Sequence, residues 1–541
     1  MKETLAALLL ILAESAALMT PANAEPVSLW RVQEIDFQSE RSYQHPFREV
    51  RLEVTFTSPS GNHPTVDAFW DGGGVWRVRF SPNETGSWKW RSTCRPADDA
   101  NLHDQEGSFE CTGIDASETP SLAGPLRLSA NRRYLVNPDG SPFFWLADTA
   151  WNGVLRAKDD DWSRYLATRK KQGFTAIQFV NTQWRGGNKI LPAPVYLGEK
   201  DVSVNVDYLQ AMDRRVAEIN RQGLVAVPVL LWALNETDPG RALQVEDAIR
   251  LARYFVARWG GYNVVWFLGG DGRYQEVERW KQIGREVFPG RKDDDPMKRL
   301  CTLHPSGGNW IVPNFGGEPW LDFVGYQSSH GNRPKDLQWL TSGPAAANWN
   351  KEPIRPIINL EPNYELIPGH PEMIPHSPQH VRRAAYWSML VTPPAGVSYG
   401  HHAVWPWNDR LGEIEGHAGI GKADAWHTGL ETEGIAGMTI LHRFFASGQW
   451  TELRPLPTLL ANQPGEKHPG KFVAAAQSKD RTWTVVYLPV GGVIQLKADE
   501  LPKKWQAYWT DPRTGKSQTA NALELRFTAP DQNDWLLEIK G

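Results

Sequence analysis

"NVVWFLGGDGRYQEVERWKQIG", Asn263–Gly284, holds two rhythms in one stretch. Val264 to Leu268 is a continuous apolar run that stops at the glycines around Asp271. Val277, Trp280 and Ile283 then recur at the three-residue spacing of one helical face. The stretch reads as a strand, a tight turn and an amphipathic helix. The same alternation precedes it. "PFFWLADTAW" (142–151) leads to a helix from Asp159 with Trp162, Tyr165 and Leu166 on one face, ended by Gly173. "FTAIQFVNTQW" (174–184) leads to Tyr208, Leu209, Met212, Val216 and Ile219, ended by Gly223. "LVAVPVLLWALNE" (224–236) leads to Val245, Ala248, Leu251, Ala252 and Phe255.

Four more strand candidates follow: "RLCTLHP" (299–305), "LDFVGYQSSHG" (321–331), "PIINLEPNYE" (356–365) and "GVSYGHHAVWPW" (396–407). Most of the eight are near-continuously apolar, as parallel strands covered on both faces must be. Eight such units over residues 121–444 predict an α/β fold, a (β/α)8 barrel. A doubly wound open sheet is the competing arrangement. It would want a glycine-rich phosphate loop after an early strand, and the sequence has none.

The flanks alternate with period two. Residues 25–120 carry "REVRLEVTFTS", "VWRVRFSP" and "GSWKWRSTC", and residues 445–541 carry "TWTVVYLP", "WQAYWTDPRTGK" and "DWLLEIKG". Both predict antiparallel β-sandwiches. Residues 1–24 read as a leader: Lys2, the apolar "LAALLLILA", then Ala22-Asn23-Ala24 as a small-residue cleavage site. A secreted or periplasmic protein is expected, with no membrane span, because the apolar run is too short and Glu14 interrupts it. Of three cysteines, Cys94 and Cys111 end or sit in strand-like runs, and spacing leaves a disulfide and two free thiols equally open. Cys301 reads as core. No cysteine or histidine spacing points to a structural metal, and no cofactor is expected.

A formal charge of −4 on 541 residues argues against a nucleic-acid partner. The 26 tryptophans fit large cores, and they also fit a protein that stacks flat rings on sugars. Barrels place their chemistry at the C-terminal ends of the strands. There the sequence offers Asp148, Asn181, Asp271, His304, Gln327, His330, Glu361 and Tyr364, then His401, with Trp151, Trp184 and Trp405 interleaved. Carboxylates ringed by Trp, His and Asn fit glycoside hydrolysis, which needs an acid for the leaving oxygen and a second carboxylate across the anomeric carbon. Glu361 ends strand seven, where Pro362 stops the run. Asp271 ends strand four, on the opposite side of an eight-strand barrel. A carboxyl separation of about 5–6 Å is expected of a retaining pair. Against this stand plainer readings: an ordinary Asp-Gly turn at Asp271, a strand-end salt bridge at Glu361, and a loop-orienting role for Asp148. Asn235-Glu236, one unit earlier, supplies an alternative acid.

"FFWLADTAWNGV", "GFTAIQFVN", "FLGGDG", "INLEPNYE" and "GVSYGHHAVWPW" together resemble the apiosidase-like glycoside hydrolases. "FWDGGGVWRVRFSPNETGSWKW" resembles the sandwich module fused ahead of such barrels, and the C-terminal region is similar to the collagen-binding-type sandwich that follows them. The resemblance implies Asp271 as acid/base and Glu361 as nucleophile. It also implies a carbohydrate substrate, with release of apiose from pectic side chains as the named activity. Asp148, Trp151, Asn181, Trp184, His304, Gln327, His330, Tyr364, His401 and Trp405 are expected to bind the sugar. The competing class is a non-catalytic carbohydrate- or matrix-binding protein with a decayed barrel.

Overall fold

The computed structural model describes residues 26–114, 124–182, 195–197, 202–290, 295, 297–415, 417 and 419–541. The expected leader, Gln183 and Trp184 lie outside the described residues. The central unit is a parallel barrel of eight strands: β1 (Trp145–Thr149), β2 (Ala176–Val180), β3 (Val225–Trp232), β4 (Trp266–Gly272), β5 (Cys301–Pro305), β6 (Val324–Gln327), β7 (Ile357–Glu361) and β8 (Gly396–Tyr399). Its hydrogen-bonded order is β5-β4-β3-β2-β1-β8-β7-β6. Between β5 and β6 a side chain substitutes for part of the ladder. Thr302 Oγ1 donates to Phe323 O at 2.7 Å and accepts from Gly325 N at 3.1 Å. The barrel is thereby nearly closed, and the open-sheet alternative is set aside.

The helices form where the apolar spacing predicts them. Asp159–Lys171, Val206–Arg221, Val245–Trp259 and Val277–Val287 follow β1 to β4. Pro334–Ser342, Pro378–Leu390 and Glu433–Ala446 follow β6 to β8. Trp162, Tyr165 and Leu166 are buried on the first of these. Gly173 and Gly223 sit just past two of the ends at φ +91° and +72°, which glycine adopts without steric cost. No helix among the described residues is long and apolar enough to cross a membrane.

N-terminal to the barrel, a five-stranded sheet and a three-stranded sheet share a core of Phe37, Val54, Phe56, Trp76, Val78, Phe80 and Trp88. The pairing is antiparallel except at one edge, where Val27–Ser28 runs parallel to Glu106–Thr112. Cys94 and Cys111 are free, and register explains why. Cys111 pairs with Gly86, eight residues along the same strand from Cys94, roughly 26 Å at about 3.3 Å per residue. This sandwich meets the barrel through a buried ion cluster. Asp213 takes Arg79 Nη2 at 2.8 Å and Arg258 Nη2 at 2.7 Å, and Arg258 Nη1 reaches Asp71 at 2.9 Å.

C-terminal to the barrel, six- and three-stranded antiparallel sheets begin at Leu453. Arg382 grips Asp534 with two 2.8 Å bonds across the junction. Tyr386 stacks on Tyr487 with centroids 4.7 Å apart.

Candidate active site

β7 drives Ile357 and Ile358 into the core and delivers Glu361 to the barrel mouth, where Pro362 cannot continue the ladder. The Glu361 carboxylate is 7% exposed. The loop after β6 brings His330 Nε2 to 2.9 Å from its Oε1, and the end of β5 brings His304 Nε2 to 3.3 Å from its Oε2. A carboxylate only accepts, so the His330 nitrogen facing it carries the hydrogen. Burial alone would push this acid up. The close approach of the His304 ring, the His330 hydrogen bond and the charges of both outweigh it and hold Glu361 down at about 2. The group is ionised throughout the neutral range.

Aromatic rings close around this carboxylate. The His330 ring lies 4.6 Å from that of Tyr364. Tyr364 OH accepts from Trp151 Nε1 at 3.1 Å. Trp151 meets His304 edge-on at 5.2 Å and Trp232 at 5.6 Å. Burial, then the Glu361 charge, raise the Tyr364 phenol well above its ordinary range, so it remains a donor.

β4 reaches the same mouth through two register shifts. Gly270 pairs with His304 and Gly272 with Pro305. A Cβ on Gly270 would come within 2.4 Å of Trp232 and 2.6 Å of Val229. Packing therefore demands glycine there. Asp271 follows in the left-handed region at φ +51°, uncommon for a residue with a side chain. Tyr274 donates to His304 O at 2.7 Å, tying the end of β4 to the end of β5. The structure thus sets Asp271, half-buried, beside the strand that carries His304.

The other expected sugar contacts separate. Gln327 pairs in register with Glu361 and is buried, and its Oε1 has no hydrogen-bond partner among the described residues. Asn181 is fully buried, and both of its side-chain polar atoms lack one too. Trp405 is buried, with its ring 6.2 Å from His402. His401 turns Nδ1 to Ala403 N at 3.1 Å and packs on Gly429, and its Nε2 has no partner among the described residues.

Asp148 requires correction. The interior ring of Trp145 lies 6.0–6.4 Å from Phe323 and Phe267, and three positions further along a strand is the opposite face. Asp148 therefore points outward, where it accepts from Tyr165 OH at 2.7 Å and from Arg169 Nε. It is fully buried and committed to the Asp159–Lys171 helix, so it orients structure instead of touching sugar. Trp407 is core as well, stacked on Trp426 at 4.7 Å and 5°. Glu236, the alternative acid, has a side chain 90% exposed, with Arg241 3.9 Å away.

Sequence reasoning placed Asn363 among the polar strand-end residues but did not single out His376 and Glu365, which also fix this loop. His376 Nε2 meets His330 O at 2.8 Å, and Asn363 Nδ2 donates to Ser329 O at 3.1 Å. Glu365 accepts from Tyr399 OH and Thr432 Oγ1, each at 2.6 Å, and from Gly434 N at 3.0 Å. It ties the segment after β7 to the N-terminus of the Glu433–Ala446 helix, where a carboxylate is favoured. Among the described residues no group of three or more His, Cys, Asp or Glu converges as a metal site.

A carboxylate held ionised at the mouth of a (β/α)8 barrel, inside a ring of tryptophan, tyrosine and histidine, is the arrangement of a glycoside hydrolase. The chain belongs to the apiosidase-like family, whose catalytic domain matches residues 129–452. A domain of unknown function matches residues 26–95, and residues 455–540 match the family described as "Putative collagen-binding domain of a collagenase". Among solved structures, a family 5 glycoside hydrolase from Bacteroides vulgatus is 25% identical at a TM-score of 0.66, covering 77% of this chain and 93% of its own. A second structure, described as a glycoside hydrolase, is 22% identical at 0.64, with 77% and 97% covered, and shares the fold. A further Bacteroides vulgatus structure, 16% identical at 0.68, covers 95% of this chain and 99% of its own, so all three units recur together. Among proteins with curated descriptions, none matches the chain.

Proposed function

We propose that the protein is an exported retaining glycoside hydrolase. Glu361 attacks the anomeric carbon and Asp271 serves as acid, then base. The observation that carries this reading is the Glu361 carboxylate, buried yet kept ionised by His304 and His330. A nucleophile must be deprotonated and poorly solvated, and this group is both. Asp271 stands on the neighbouring side of His304, on a backbone turn that allows close substrate approach. In the first step the Glu361 oxygen forms the glycosyl ester while the acid protonates the departing oxygen. In the second, the same residue removes a proton from water as the ester is cleaved. Trp151 and Tyr364 wall the sugar, and the unsatisfied amides of Asn181 and Gln327 are available to its hydroxyls. Family membership favours an apiose-bearing pectic side chain as substrate.

The test is turnover on a panel of aryl glycosides and pectic oligosaccharides, with the anomer of the first-formed product read by NMR. Retention, a mass-tagged Glu361 after a fluorinated slow substrate, and loss of activity in Glu361→Gln are expected. An inverted product, or activity surviving Glu361→Gln, would defeat the assignment. Asp271→Ala should lose far more on poor leaving groups than on activated aryl glycosides. Equal losses would remove its role as acid.

A further inference from the structure

The helix Pro378–Leu390 and the C-terminal sandwich line an open cleft of about 480 Å³. That lies inside the roughly 300–1,000 Å³ range of small-molecule sites. Its wall joins His380 and Arg383 of the helix to His468, Lys471 and Asp534 of the C-terminal region. Arg383 is 6% exposed. One of its nitrogens, Nη2, donates to Asn332 Oδ1, and the guanidinium lies 5.1 Å from the Trp387 ring centre. Its Nε has no hydrogen-bond partner, and no carboxylate forms an ion pair with it, among the described residues. Burial pushes it down to about 10, the direction expected of a cation without a counter-charge. The one acid in the wall is already spent on others: Asp534 takes both bonds from Arg382 and a third from Tyr487 OH at 3.1 Å.

The arginines around one of the cavities between the N-terminal sandwich and the barrel behave differently. Beneath the N-terminal sandwich, Arg48 and Arg250 share Asp247, Arg253 meets Asp67, and Arg51 meets Glu53. Those charges are satisfied within the chain. At Arg383 the chain leaves a buried cation uncompensated beside Lys471, which is the pattern of a site whose counter-charge comes from outside.

We infer that this cleft binds the carboxylate of an acidic saccharide, with Arg383 and Lys471 as the charged contacts. The choice of a saccharide rests on the hydrolase reading above; the oxyanion chemistry does not. The site also borders the catalytic loop. Arg383 holds Asn332, two residues beyond His330, and His380 Nδ1 lies 3.4 Å from His376 Nδ1, whose ring meets His330 O.

Calorimetric titration of the full-length chain, in a Glu361→Gln background that consumes no substrate, tests this with digalacturonate, its methyl ester and inorganic phosphate. Expected are salt-sensitive binding of digalacturonate, at least tenfold weaker binding of the ester, and at least fivefold weakening by Lys471→Gln. Lys471 is exposed, so that variant keeps its fold, and Arg383→Gln should lose binding altogether. Equal affinity for acid and ester, or unchanged binding in Lys471→Gln, would overturn the site, since a ligand seated against Glu361 would not sense Lys471. Phosphate binding as tightly as digalacturonate, and competing with it, would overturn the saccharide. Activity surviving Glu361→Gln would remove the catalytic reading and leave this one standing.

Discussion

His330 Nε2 and Glu361 Oε1 meet at 2.9 Å, although 31 positions separate the two residues. They arrive from the ends of adjacent strands, β6 and β7, and the contact decides the state of the carboxylate. A hydrogen bond to a charged group is worth about 1.5–3 kcal/mol, so His330→Ala should lower kcat/KM roughly ten- to hundredfold. It should also move the acid limb of the pH profile upward, because Glu361 loses one of the two groups that hold it near 2. A uniform loss of activity with an unmoved acid limb would assign His330 to substrate contact instead.

Acid should unfold the protein through three buried histidines, His376, His401 and His402, and the half-buried His380. Burial, with nearby positive groups, lowers His376 and His401 to about 3 and His380 and His402 to about 4. In the unfolded chain these groups titrate near 6.5. Below that value the unfolded state binds more protons, so stability falls as pH drops from about 6.5 towards 4. Each proton contributes about 1.4 kcal/mol per pH unit, so the four approach about 5 kcal/mol per unit near pH 5. Glu361, lowered from 4.5 to about 2, adds a further loss between those two values. Urea unfolding at pH 7, 6 and 5 measures the slope. His376→Asn should reduce it by about one proton's worth, and a flat profile would contradict the burial of these rings.

Asp148 and Arg169 are both fully buried and face each other between β1 and its helix. Removing one partner of such a pair costs about 3–5 kcal/mol. Asp148→Ala should therefore lower the melting temperature severely. KM in whatever fraction folds should remain near the wild-type value. A raised KM with unchanged stability would return Asp148 to the sugar site.

That residue shows where the sequence stops being legible. The barrel could be read because buried parallel strands are apolar throughout and their helices repeat one buried face, as Trp162, Tyr165 and Leu166 do. Glu361 could be read because Pro362 marks the strand end. The direction of Asp148 could not, since its partners Tyr165 and Arg169 come from a helix whose distance and angle no local pattern encodes. His376 and His380 were hidden for a similar reason. His376 lies in the irregular part of "HPEMIPHSPQH" and His380 in the first turn of the helix that begins at Pro378, where no periodicity says which ring turns inward. The thiols of Cys94 and Cys111 needed strand register, which spacing alone does not supply.

The interdomain cluster predicts how the N-terminal sandwich matters. Asp213 is the shared acceptor of Arg79, Arg258 and Trp259 Nε1, at 2.7–2.8 Å. Asp213→Ala would take from two buried guanidiniums their shared partner, leaving Arg79 with Glu34 and Arg258 with Asp71, and should cost about 3 kcal/mol. Removal of the sandwich takes Arg79 away but leaves Asp213 paired with Arg258. The truncated barrel should then lose melting temperature and keep turnover on a small aryl glycoside. A folded truncation without turnover would place part of the substrate site on the sandwich.

Gly270 offers the sharpest test of Asp271, because it changes no polar group. A methyl group there meets Trp232 at 2.4 Å and Val229 at 2.6 Å, distances that force something to move. Both neighbours belong to β3 and are buried, so the yielding element is the end of β4, already displaced by two register shifts. Overpacking of this kind costs about 1–3 kcal/mol, and a displacement of about 1 Å at a catalytic group can cost a hundredfold in rate. Gly270→Ala should therefore lose activity out of proportion to its stability. If Asp271 is the acid, the loss should be steepest on poor leaving groups, as for Asp271→Ala. A variant that melts a few degrees lower yet cleaves every leaving group at the wild-type rate would show that the geometry of β4 does not serve proton transfer.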